Sequence, residues 1–86
     1  MLYADPVPPE LKPILESFVE ALVEYPEYAD VHETEEDGVT IYTIDVVPDD
    51  RGKVIGARGV IIRSLGDLFY AMGCKQRRKV RIRMKG

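Results

Sequence analysis

The spacing of apolar residues changes period along this chain, and that change limits the folds open to it. Leu11, Ile14, Leu15, Phe18, Val19, Leu22 and Val23 recur at the three- and four-residue steps of one helix face, with Glu16, Glu20 and Glu24 on the other. Pro13 fits such a helix only in the first turn, where its missing N–H has no partner, so the spacing predicts a start near Leu11 or Lys12. Tyr25-Pro26 ends it, because the residue before a proline is steered away from helical dihedrals. Ahead of the helix, Pro6, Pro8 and Pro9 mark residues 1–10 as a proline-rich, extended lead-in.

The pattern then shortens. Residues 30–36 are a strand candidate, and Asp37-Gly38 predicts a two-residue hairpin turn, since both positions tolerate positive φ. Val39 to Val47 is rich in β-branched and aromatic residues; alternation turns Tyr42, Ile44 and Val46 toward a core and Ile41, Thr43 and Asp45 outward. Pro48 ends that strand, and Asp49 or Asp50 is expected to cap a very short helix running to about Ile55. Helical spacing returns with Val60, Ile61, Ile62, Leu65, Leu68, Phe69 and Met72. Gly73 is the expected C-terminal cap, and Gly66 inside the helix implies either close packing or local looseness. A basic loop of Lys75, Arg77 and Arg78 leads to a last strand, where Val80, Ile82 and Met84 alternate with Lys79, Arg81, Arg83 and Lys85. The order α-β-β-α-α-β predicts an α+β domain: a three-stranded sheet with helices packed on one face, over residues 11–86.

Size and composition exclude several functions. A chain of 86 residues supports one modest core and is too short for most cofactor-binding α/β enzymes. Cys74 and His32 are each the sole residue of their type, which leaves no disulfide framework and no metal-ligand cluster. Ser17 and Ser64 have no histidine placed for a triad, and no Walker-type or dinucleotide glycine motif is present, so catalysis is not expected. The first nine residues lack the basic start and apolar run of a secretory signal, and nothing approaches a membrane span, so a cytoplasmic location is expected.

Charge is more informative than its total of −3. Residues 1–50 hold 14 acidic residues and one base, Lys12; residues 51–86 hold 11 bases and one acid, Asp67. Such asymmetry points to a polyanion-binding surface confined to the second half. Within that half, Val54-Ile55-Gly56-Ala57-Arg58-Gly59-Val60-Ile61-Ile62 places two glycines between a short helix and a longer one. A tight corner of this kind needs glycine for unusual dihedrals, and it presents the start of a helix, whose dipole favours an anion such as a phosphodiester. By itself a Gly-x-x-Gly pair also fits a plain helix corner.

With the charge split and the order of elements, the stretch from Arg51 to Leu65 resembles the signature of the KH domain family, in its type II arrangement. From about Leu11 to Met84, including Val46-Val47-Pro48-Asp49-Asp50 and Arg51-Gly52-Lys53-Val54-Ile55-Gly56, the chain is similar to the KhpA-like proteins, which consist of one such domain. The resemblance implies single-stranded RNA binding, with about four nucleotides held between the glycine loop and the neighbouring sheet edge. It implies Gly56, Ala57, Arg58 and Gly59 as a phosphate clamp, Ile55 and Ile62 as groove floor or simply core, and Lys53 and Arg63 as flanking phosphate contacts. It further implies RNA chaperoning, a link to cell shape, and a homodimer or a heterodimer with a KhpB-like KH protein.

Two positions depart from the family. KhpA-like loops commonly carry a base directly after each glycine, where this chain has Ala57 and Val60. Fewer charges predict weaker binding with a flatter salt dependence, unless Lys75, Arg77 and Arg78 compensate. The stripe of Lys79, Arg81, Arg83 and Lys85 reads equally as an electrostatic track or as a solvated face whose bases pair with Asp45, Glu33 or Glu35. Tyr70 fits a stacking platform or an ordinary surface tyrosine. The alternative to an RNA binder is a KH-fold dimerisation module with little RNA affinity of its own.

Overall fold

The computed structural model describes residues 10–86 and follows the expected order: α1 (Leu11–Leu22), β1 (Asp30–Glu36), β2 (Val39–Asp45), α2 (Pro48–Ile55), α3 (Val60–Lys75) and β3 (Lys79–Met84). The lead-in expected over residues 1–10 lies outside the described residues except for Glu10. A single 3-10 turn at Pro26–Tyr28 joins α1 to β1, and another at Ala57–Gly59 joins α2 to α3.

The sheet has the order β1-β2-β3. β1 and β2 run antiparallel across the Asp37-Gly38 turn, where both residues have positive φ. β2 and β3 run parallel, a pairing that needs the long crossover α2 and α3 supply, and β3 is left as an edge. Register places Val31, Tyr42, Ile44 and Val80 on the helix side, where they pack with Leu11, Leu15 and Val19 of α1, Val54 of α2, and Leu65 and Phe69 of α3. Phe18 meets Phe69 edge-on, at 6.0 Å between ring centres. This is the α+β arrangement of a type II KH fold, with a mixed sheet covered on one face.

Four local expectations are corrected. β2 ends at Asp45, two residues before Val47. Pro48 itself occupies the first turn of α2, so Asp49 and Asp50 lie inside that helix and cap nothing of their own. Gly73 is buried within α3, which continues to Lys75, so Lys75 is helical and not part of a loop. The helix ends instead in a Schellman pattern: Arg78 N–H reaches the Gly73 carbonyl at 2.8 Å, Arg77 N–H reaches the Cys74 carbonyl at 3.0 Å, and Arg77 takes the left-handed φ of 58°. Ile41, though on the outward face, is buried, because the central strand is flanked there by Thr34 and Arg81.

Candidate nucleic-acid interface

The glycine corner is built by contacts as well as by dihedrals. Gly56 adopts φ 77° and ψ 170°, a region essentially closed to other residues, and a Cβ there would stand 2.6 Å from Ile61 Cγ1. Its N–H closes α2 on the Gly52 carbonyl at 2.9 Å, and its carbonyl accepts the Gly59 N–H at 3.0 Å. Arg58 and Gly59 follow with φ 57° and 74°. Three positive φ values within four residues turn the chain sharply into the start of α3 and leave Ala57 and Arg58 exposed at the tip.

Flanking side chains divide by what they hold. Arg63 bends back and donates from Nη1 to the Arg58 carbonyl, strapping the loop to the first turn of α3. Lys53 faces the acidic half: its Nζ lies 3.3 Å from Asp50 Oδ1 and 3.7 Å from Glu24 Oε2. Ile55 and Ile62 are half-buried, and Ile62 packs against the core together with Ile82 and Met84 of β3. Arg51 joins the first half of α2 to the sheet by donating to the Lys85 carbonyl, just past the end of β3.

Asp50, which its sequence position marks only as a helix cap, organises this end of the molecule. Its carboxylate is fully buried and accepts the backbone N–H groups of Glu24 and Tyr25, each at 3.0 Å, so α2 is tied to the chain leaving α1. Burial alone would raise its pKa; the two N–H donors, together with Lys53, outweigh that and hold it below the usual carboxylate value.

The basic residues expected beyond α3 lie elsewhere. The 16 residues of α3, about 24 Å at 1.5 Å each, carry the chain from the glycine corner to Lys75, with Arg77 and Arg78 just beyond. Arg78 is engaged, with Nη2 3.2 Å from Thr40 Oγ1, and it draws down the pKa of buried Tyr42, which burial nevertheless pushes up. Lys75 and Arg77 are exposed. On the open face of the sheet, Lys85 pairs with Asp45 at 3.2 Å and Arg83 with Glu36 at 3.7 Å. Glu33 and Glu35, proposed as partners from the sequence, occupy the opposite face by register. Among the described residues, no group of three or more His, Cys, Asp or Glu side chains is placed to hold a metal, and no helix is long and apolar enough to cross a membrane.

A sequence model described as the KhpA/KhpB KH domain matches residues 12–84, from the second residue of α1 to the end of β3. The chain belongs to the KhpA/KhpB KH-domain family. An RNA-binding protein KhpA of Oceanobacillus iheyensis is 43% identical over 61 residues, covering 71% of this chain and 81% of that protein. The RNA-binding protein KhpA of Halalkalibacterium halodurans is 38% identical over 73 residues, or 84% and 95% of the two chains. That of Thermotoga maritima is 39% identical over 62 residues, covering 72% and 83%. No solved structure matches the chain.

Proposed function

We propose that this KhpA-family protein binds single-stranded RNA without catalysis, gripping the backbone on the Gly56–Gly59 corner and laying the bases toward Ile55, Ile62 and the C-terminal end of β3, at Ile82 and Met84. The observation that carries this reading is the corner itself. Its three positive φ values hold the tip open at the N-terminal end of a 16-residue helix, where the dipole favours a phosphate and Arg58 adds an exposed charge. The curated relatives are named RNA-binding proteins, which supports the same reading. A grip on backbone without a demand on sequence suits an RNA chaperone.

Replacing Ala57 and Arg58 together by aspartate tests the loop. Titration of the unaltered protein with a short single-stranded RNA is expected to show affinity that falls with salt, and the double variant is expected to lose binding. Equal binding by both proteins would remove the loop from the site.

One observation favours a second, compatible role in self-association or pairing with a KhpB-like KH protein. Phe18, Val60 and Leu68, each between two-fifths and one-half exposed, border one apolar groove between α1 and α3 with Leu22, Ile61 and Leu65 beneath. Sedimentation of the purified protein, alone and with Leu68→Asp, distinguishes a dimer on this face from a monomer.

A further inference from the structure

The stripe on β3 is not uniform, and the register explains why. Thr43 stands opposite Arg83, and Asp45 lies in reach of Lys85, so the C-terminal half of the stripe is paired. Opposite Lys79 and Arg81 the central strand offers Val39 and Ile41, which carry no charge. No ion pair forms at Lys79 or Arg81 among the described residues, although Glu36 and Asp37 border the far side of Arg81. Lys79 and Arg81 share a concavity of about 250 Å3 with Val39, Val80 and Tyr70, a residue 57% exposed on the adjoining flank of α3. Lys75 and Arg77 extend the positive field just ahead of β3.

We propose that Tyr70, Lys79 and Arg81 form a second contact for single-stranded RNA, in which Tyr70 stacks a base and the two cations hold the flanking phosphates. An exposed aromatic ring between cations is the arrangement by which single-strand binders engage a nucleotide without reading its sequence. The site lies apart from the glycine corner. Ten residues of α3 separate Val60 from Tyr70, about 15 Å, and β3 runs back over a similar length from Lys79 to Met84. Because Arg51 fastens the end of β3 to α2, the edge of that strand connects the two sites. A strand of RNA longer than the four nucleotides of a KH groove reaches both. This contact rests on the proposed binding of single-stranded RNA, and its failure is separable from failure of the loop assignment.

The test compares two RNA lengths on the full chain: a tetranucleotide, and a uridine oligonucleotide of about twelve nucleotides, within the range that single-strand binders occupy. Tyr70→Ala is expected to weaken the longer RNA by about tenfold, while Tyr70→Phe, which keeps the ring, binds like the unaltered protein. Lys79→Ala with Arg81→Ala is expected to flatten the log–log salt slope for the longer RNA by about 1.4, since each lost phosphate contact on a single strand accounts for about 0.7. Tetranucleotide binding stays unchanged in these variants, which also shows that they remain folded. Unchanged affinity for the longer RNA in Tyr70→Ala, or an unchanged salt slope in the Lys79→Ala, Arg81→Ala variant, would overturn the second contact. Failure of the loop assignment has a different signature: tetranucleotide binding that survives aspartates at positions 57 and 58.

Discussion

At the residue scale, Asp50 and Gly56 do most to fix the glycine corner in place. Asp50 is a buried carboxylate whose pKa lies below the ordinary value, so its ionised form is favoured by folding. The stability it contributes is complete above the unfolded-state pKa of about 3.9 and is lost as pH falls through the lower folded-state value. Asp50→Asn is expected to be less stable at neutral pH and to show a shallower loss of stability below about pH 4, as read by denaturant unfolding across pH. Gly56→Ala meets both the strained backbone and the Ile61 side chain. It is expected to cost about 1–3 kcal/mol in the same measurement, with weakened RNA binding as the corner shifts. The sequence announced Gly56 through its neighbours but not the role of Asp50. Its partners Glu24 and Tyr25 are 26 and 25 residues away and act through backbone N–H groups, which carry no side-chain signature.

At the scale of elements, α3 shows how one residue type serves opposite ends. A Cβ on Gly66 would meet nothing within 4 Å, whereas one on Gly73 would stand 2.6 Å from Val80 Cγ2 and 2.9 Å from the Arg78 carbonyl. Thermal unfolding of the single variants is expected to show Gly66→Ala more stable by about 0.5–1 kcal/mol and Gly73→Ala less stable by about 1–3 kcal/mol. Helical spacing made α1 and α3 legible, and alternation made β2 and β3 legible, because burial of one face is a periodic constraint. The ends were harder. Gly73 near the close of an apolar run has the form of a cap, yet the helix passes through it because β3 packs onto that bare position, and Arg77 takes the left-handed turn instead. Asp49 and Asp50 likewise follow a strand and a proline in the manner of caps, but Pro48 already opens the helix.

At the scale of the whole molecule, the charge split resolves into places. The acidic half supplies α1 and the hairpin, and part of the basic half is spent on it: Lys53 on Glu24 and Asp50, Arg83 on Glu36, Lys85 on Asp45. Arg51, Arg63 and Arg78 are held by hydrogen bonds instead, and among the described residues of that half the bases with neither kind of partner fall into two groups, Arg58 at the glycine corner and Lys75, Arg77, Lys79 and Arg81 at the far end of α3. The fold class, the corner and its family were readable from the chain. The division of the cations was not, since it depends on strand register and on the length of α3, neither of which charge counting contains. The claim at the centre of this account is that the corner grips the RNA backbone, and amide chemical-shift mapping with a single-stranded tetranucleotide tests it most directly. Largest shifts at Ala57, Arg58, Gly59 and Val60, diminishing as salt is raised, are the expected result; shifts concentrated on the α1–α3 groove or on the open sheet face, with these four amides unmoved, would contradict it.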